Sequence, residues 1–351
     1  MFKLDARRCL VLVKYNDKDI SADLQQYLKS VSYTDNMSGE ADDLQLTLED
    51  KGGLWQSAWM PEKGATLDIS VKLTNWQGVG VQIVRFGLFE IDEITSSGMP
   101  SEVQIKAVSV PDNNNLRGVE RTRSWEKAEI KRIANDIATG AELELYYDVK
   151  DYNPVIDRAE QTEQSDLSFL YKLCADHGLA LKICNKQLVI FDEADYEAGE
   201  AVALVPKPQT VYTAGSLKVL NLIESYSLKS KVRDVYKACH VKYQDSSTKQ
   251  KIEATFTAPD KQTGKTLEVN EQVTSIADAQ RLAKKKLREK NCDEVTGSFS
   301  FVGNPELAAT VNIQLSGFGV FDGKYIITKA QHDIGSGYTT SIDVRRCLDG
   351  Y

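Results

Sequence analysis

A mainly β fold, two β-barrels flanking a small helix-containing α+β insertion, is predicted by three features of this 351-residue chain. Apolar and polar residues alternate in both end regions, a period near 3.6 residues replaces the alternation in the middle, and a set of turn landmarks recurs in the same order near each end. The length exceeds one ordinary domain, so two or three compact units are expected, each able to bury a core.

The first barrel is placed at residues 1–112. Leu44-Gln45-Leu46-Thr47-Leu48-Glu49 alternates strictly, as does the run from Thr66 to Leu73, so each strand buries one face and wets the other. Val103, Ile105 and Ala107 repeat the pattern, and turns such as Asp50-Lys51-Gly52-Gly53 and Pro61-Glu62-Lys63-Gly64 separate the strands.

Residues 113–200 read as an α+β module entered through Pro111-Asp112-Asn113-Asn114-Asn115. Ile130, Ile133, Ala134, Ile137 and Ala138 share a helical face, with Ser124 as the expected N-cap and Gly140 as the stop. Ser165 caps a second helix whose stripe is Leu167, Leu170, Leu173 and Cys174 and which Gly178 ends. Leu179 to Phe191 then reads as a hairpin around Asn185-Lys186.

The second barrel is placed at 201–351, its β pattern resuming near Val211. One amphipathic helix from about Ser275 to Lys290 interrupts it, with Ile276, Ala279, Leu282, Ala283 and Leu287 as the stripe, and a long polar loop is expected from Gln244 to Val269. Pro61-Glu62, Phe86-Gly87 and Ser97-Gly98 near one end match Pro305-Glu306, Phe318-Gly319 and Ser336-Gly337 near the other, which points to a duplicated unit.

Composition narrows the function. No apolar run is long enough to span a bilayer, and no sustained apolar stretch follows the basic residues Lys3, Arg7 and Arg8, so a chain that stays in the cytoplasm where it is made is expected. The net charge of −8 disfavours a surface that grips DNA, which needs many cationic contacts to phosphate. Six scattered cysteines without a C-x-x-C pair, and only three histidines, argue against structural zinc and for buried reduced thiols.

No catalytic, cofactor-binding or metal-ligating residue is expected. Asp148, Asp151, Asp157 and Glu160 are near one another in sequence, but a polar connector gives no reason for two to converge in a dry cleft. His177 sits in the last turn before Gly178, where an imidazole favours the negative helix end. His240 points to the opposite strand face from Cys239, and His332 has no obvious partner. Candidate interface residues are Trp55, Trp59 and Trp76, and the basic positions Lys284, Lys285 and Arg288 of a helix that also carries Arg281, Lys286 and Lys290.

Tyr33-Thr34-Asp35-Asn36, Asp42-Asp43-Leu44, Pro61-Glu62-Lys63-Gly64 and Phe89-Glu90-Ile91-Asp92-Glu93 resemble the opening barrel of the phage late control protein D family. Gln164-Ser165-Asp166-Leu167-Ser168-Phe169-Leu170 with His177-Gly178-Leu179 is similar to its central helix. Gly303-Asn304-Pro305 through Asp322-Gly323-Lys324-Tyr325 resembles its C-terminal barrel.

The resemblance implies a baseplate hub of a contractile phage-type tail. It implies a homotrimer whose two tail-tube-like barrels per chain make six units, mating with a sixfold tail tube protein on one face and a threefold central spike protein on the other. Tape-measure and other baseplate proteins would be neighbours, and the hub portion of type VI secretion spike proteins a relative. With no repetitive β-helix before Tyr351, the spike is expected to be a separate protein. A tail-associated peptidoglycan hydrolase and a DNA-binding late-gene regulator are the competing readings. The first would clear cell wall, the second would bind DNA in a salt-sensitive way.

Overall fold

The computed structural model describes residues 6–76, 79–110, 116–150, 152–211, 215–244, 251–273, 275–348 and 350–351. The expected inter-module connector 111–115 and the carboxylate Asp151 lie outside the described residues. The fold is mainly β, and two compact units divide it: residues 1–192 with 301–308 and 329–341, and residues 193–300 with 309–328 and 342–351.

In the first unit β1 (Arg8–Tyr15), β2 (Lys18–Asp19) and the single turn α1 (Ser21–Leu24) lead into β3 (Leu28–Asn36), β4 (Asp43–Glu49), β5 (Thr66–Trp76), β6 (Val79–Ser97) and β7 (Glu102–Val108). Their pairing order is β3-β4-β7-β6-β5-β1-β2, antiparallel throughout. The alternation read from sequence sets the faces: in β5, Leu67, Ile69, Val71 and Leu73 are buried while their neighbours are not. Val11, Val31, Leu46, Ile69, Phe89 and Ile105, one from each of six strands, meet in one apolar core. These six strands thus turn their apolar faces to one core, as the alternation predicts.

The middle of this unit differs from expectation at its start. Ser124 lies within a strand, β8 (Glu120–Glu129), and helix α2 (Ile130–Gly140) begins only after it, with Glu129 at the N-cap position. β8 pairs antiparallel with β10 (Val155–Ser165) as a two-stranded ribbon. Positive φ at Lys127 and Glu163 and a register shift near Gln161 break the ribbon's alternation, which is why it does not read as a strand pair.

Helix α3 (Asp166–Asp176) starts where predicted: Ser165 Oγ accepts the Ser168 N–H at 3.2 Å. β11 (Ala180–Cys184) and β12 (Gln187–Phe191) form the expected hairpin, with Asn185 and Lys186 both at positive φ as a tight primed turn requires. β12 also takes a parallel neighbour, β9 (Glu144–Asp148). Ile130, Ile133 and Ile137 of α2 and Leu170 of α3 share a second core with Leu181, Ile183, Leu188 and Ile190.

The second unit contains α4 (Glu193–Ala198), β13 (Ala203–Pro206), β14 (Lys218–Val219), β15 (Ile223–Ser230), β16 (Tyr236–Gln244), β17 (Lys251–Thr257), β18 (Lys265–Val269) and α5 (Ile276–Asn291). β19 (Val295–Val302), β20 (Asn312–Ser316), β21 (Gly323–Ile334) and β22 (Tyr338–Arg346) follow. The pairing order is β15-β19-β22-β21-β20-β13-β14. Residues 329–334 of β21 belong to the first unit, where they pair with β3.

The two orders correspond, although β1 runs antiparallel to β5 and β2 where β13 runs parallel to β20 and β14. β4, β5, β6 and β7 occupy the places that β19, β20, β21 and β22 occupy in the other path, and β3 corresponds to β15. One turn separates β3 from β4, whereas β16, β17, β18 and α5 stand between β15 and β19.

The expected loop 244–269 is therefore corrected. Its described part contains β17 and β18, which flank β16 and carry α5 on one face through Cys239, Val241, Ala254, Ala279, Ala283 and Leu287. β17 alternates as Lys251-Ile252-Glu253-Ala254-Thr255-Phe256-Thr257, but its outward residues are so polar that the run resembles a loop. Ser275 caps α5, its Oγ accepting the Asp278 N–H at 3.1 Å.

Candidate functional site

The three tryptophans expected at an interface fall in two separate places. Trp55 is 6% exposed and belongs to the first core, its backbone N–H donating to the buried Asp50 at 3.1 Å. Its ring lies edge-on to Tyr27 and to Trp59, and only Trp59, at 41%, remains accessible, beside the equally exposed Met60. Trp55 is therefore a packing residue, because the turn after Gly53 folds its ring inward.

Trp76 ends β5, and its indole N–H donates to the Gly303 carbonyl at 2.6 Å beside the Tyr338 ring. A Cβ at position 303 would come within 2.2 Å of that ring, so the chain can pass there only as glycine.

The basic helix also divides. Arg288 turns inward, donating to Glu197 at 2.5 Å, and is thus committed to an internal ion pair rather than a surface. Lys284 is exposed and lies 6.0 Å from the Phe256 ring centre, Lys285 is half-buried, and Arg281 and Lys290 are exposed.

Among the described residues, those set aside as catalytic form no constellation. Asp148 ends β9, while Asp157 and Glu160 are exposed on β10, where Glu160 pairs with Arg158. His177 is the C-cap of α3, and its Nδ1 lies 2.9 Å from the Tyr152 hydroxyl. His240 contacts Thr255 at 2.9 Å on the sheet face opposite the buried Cys239. Among the described residues no three His, Cys, Asp or Glu side chains are grouped as a metal site. No described helix is long and apolar enough to cross a membrane.

His332 has the partners its sequence does not announce. It is buried, stacks on Tyr33 at 5.8 Å, and sets Nδ1 2.9 Å from the Tyr338 hydroxyl and 3.2 Å from Thr340 Oγ1. Burial pushes its pKa down to about 4 against the opposing pull of Asp35, so the ring is neutral.

Each unit also holds a buried ionic cluster. In the first, Lys182 of β11 reaches Asp35 of β3, Asp42 at 3.0 Å and the Asn36 carbonyl at 2.7 Å. Asp42 also accepts the Asn36 N–H at 2.9 Å, and its own N–H donates to Ser109 Oγ at 3.0 Å. Burial raises the Asp42 pKa, Asp35 adds to the rise, and Lys182 opposes it. Burial lowers the Lys182 pKa, but the two carboxylates outweigh it and the net shift is upward.

In the second cluster Arg345 of β22 donates to Glu193 at 2.7 Å and also pairs with Glu197, which Arg288 reaches from α5. The remaining Glu197 oxygen accepts the Leu348 N–H at 2.9 Å. Both clusters fasten helix-bearing insertions to the strands, and Arg345 of the second also lines a cavity of about 320 Å³ with Lys229, Asp293 and Asp343.

Residues 91–338 match the family model described as phage tail baseplate hub (GPD). A probable baseplate hub protein of Escherichia phage P2 is 28% identical over 58% of this chain and 49% of its own length, so the aligned stretch spans about half of that relative.

A tail protein from Neisseria meningitidis has the same fold at 12% identity, with a TM-score of 0.71 over 97% of each chain. An Escherichia coli type VI secretion component, whose description notes structural similarity to bacteriophage T4 tail proteins, follows at 12% identity with a TM-score of 0.54, over 93% of this chain and 75% of its own. The chain belongs to the phage tail baseplate hub (GPD) family.

Proposed function

We propose that this member of the baseplate hub family is the structural hub of a contractile phage-type tail, a trimeric ring adapting a sixfold tail tube to a threefold central spike. The observation that carries the proposal is the repeated strand order, β3-β4-β7-β6-β5-β1 and β15-β19-β22-β21-β20-β13, within one chain of a hub family. Three chains with two like units each offer six similar surfaces, and one set of three dissimilar insertions breaks that sixfold to threefold. The division into a first tube-like barrel (1–112), an α+β module (113–200) and a second tube-like barrel (201–351) is part of the same proposal.

The chain works by surface complementarity and not by catalysis, and its place is the baseplate of a tail particle assembled in the bacterial cytoplasm. Tail tube and spike proteins are its direct partners, with tape-measure and other baseplate proteins as neighbours. Light scattering of the purified chain, alone and with the spike protein of the same particle, tests this. Three copies per complex are expected. A chain that stays monomeric and binds neither spike nor tube overturns the proposal, and clearing of cell wall in a zymogram overturns its non-catalytic part.

A further inference from the structure

The acidic chain carries one strongly basic segment. Residues 236–291, the strands β16 to β18 and helix α5, contain 12 Lys and Arg against 7 Asp and Glu. Outside it, 31 basic residues face 44 acidic ones, so a surplus of five cations sits in a body with a deficit of thirteen. Much of that positive charge lies along α5, where the exposed Arg281 and Lys284 share one side of the helix with the half-buried Lys285, and Ile276, 61% exposed, provides an apolar point at the helix start.

The β8–β10 ribbon of the first unit has the opposite character. Its inner face is fixed: Trp125 stacks on Phe169 at 5.2 Å, and Arg123 turns inward to Asp166 at 2.6 Å. With that cation engaged, the exposed positions include Glu120, Glu126, Glu129, Asp157, Glu160 and Glu163, against Lys127 and Arg158. Val155, 59% exposed, supplies an apolar point here too. Glu126 and Glu160 share a face with Arg158, which stands opposite Glu126 in the register and pairs with Glu160 two residues along the same strand.

We propose that the basic face of α5 in one copy docks on the acidic β8–β10 ribbon of a second copy, forming the head-to-tail contact that closes the ring. The inference rests on the proposed trimer and names the surfaces that build it. Two unlike, complementary patches on one chain generate a heterologous interface, which closes into a ring or runs on as a filament; self-complementary patches would give a twofold dimer instead. Complementary charge speeds encounter and rejects wrong partners, and the exposed Ile276 and Val155 add apolar contact beside it.

Sedimentation velocity of the full chain between 50 and 500 mM NaCl, with circular dichroism to verify folding, tests the pairing. All four altered positions are on the surface. Wild-type association is expected to weaken as salt rises. Arg281→Glu with Lys284→Glu, or Glu126→Lys with Glu160→Lys, should each weaken association by about tenfold or more, and the four changes together should restore most of it.

Association of folded variants equal to wild type overturns this contact while leaving the trimer in place, as does failure of the combined variant to recover. If the unaltered chain is monomeric at every salt concentration and with spike protein added, the trimer and this contact fall together.

Discussion

The two ionic clusters differ in their charge balance, and the difference decides what each has left when a cation is removed. Lys182 alone faces Asp35 and Asp42, whereas Arg288 and Arg345 face Glu193 and Glu197. In the first, burial raises the Asp42 pKa, Asp35 adds to the rise, and the one ammonium offsets only part of it. In the second, two carboxylates face two guanidinia. The same task, fixing an insertion to a strand, is thus met once with one cation for two carboxylates and once with two.

The largest expected effects come from removing the cations. Lys182→Met leaves two buried carboxylates without a counter-charge and should cost about 3–5 kcal/mol at neutral pH in denaturant unfolding. The folded pKa of Asp42 is raised to about 7 with Lys182 opposing the rise, so removing Lys182 raises it further. The deficit of this variant should therefore grow as pH rises from about 7 toward 8 and level off below it.

Arg345→Met gives the second cluster the composition of the first, two carboxylates and one cation. A loss of about 3–5 kcal/mol is expected there as well. A loss well below that of Lys182→Met would break the comparison.

His332 provides the opposite slope. Its folded pKa, about 4, lies below the unfolded value of 6.5, so its contribution is complete above pH 6.5 and is lost as pH falls through 4. Up to about 3 kcal/mol of acid destabilisation should disappear in His332→Asn relative to the parent, whatever the cost of that substitution at neutral pH.

The smallest effects serve as the control. Ser165→Ala and Ser275→Ala each remove one N-cap, one in each unit, and each should cost about 1 kcal/mol with no change between pH 5 and 8. A pH-dependent loss from either would show that ordinary helix fraying, and not charge balance, governs the pH response.

Those same caps show what was legible in the sequence. Helices α3 and α5 and the β11–β12 hairpin were readable because cap, stripe and turn lie within a few residues of one another. The alternating strands β4, β5 and β7 were readable for the same reason, and the repeated landmarks foreshadowed the matching strand orders. The β8–β10 ribbon was not, since its bulge and left-handed residues disturb the period that marks a strand.

The strands β17 and β18 were missed because their outward residues are polar. Nor could local pattern reveal Lys182 meeting Asp35 and Asp42, 147 and 140 residues away, or His332 beneath Tyr33. Among the candidate interface residues, Trp59, Lys284 and Lys285 keep some exposure, while Trp55 and Arg288 were drawn inside by partners no spacing rule identifies. Charge and aromatic character were legible; which way each side chain faces is settled only by the fold.

The central claim is the hub ring itself, and image reconstruction of an assembled tail particle containing this chain tests it most directly. Three copies are predicted at the tip, their six β units stacked beneath the last ring of the tail tube and the spike seated on the other face. Density for this chain elsewhere in the particle, or in a stoichiometry other than three per tail, would contradict the account.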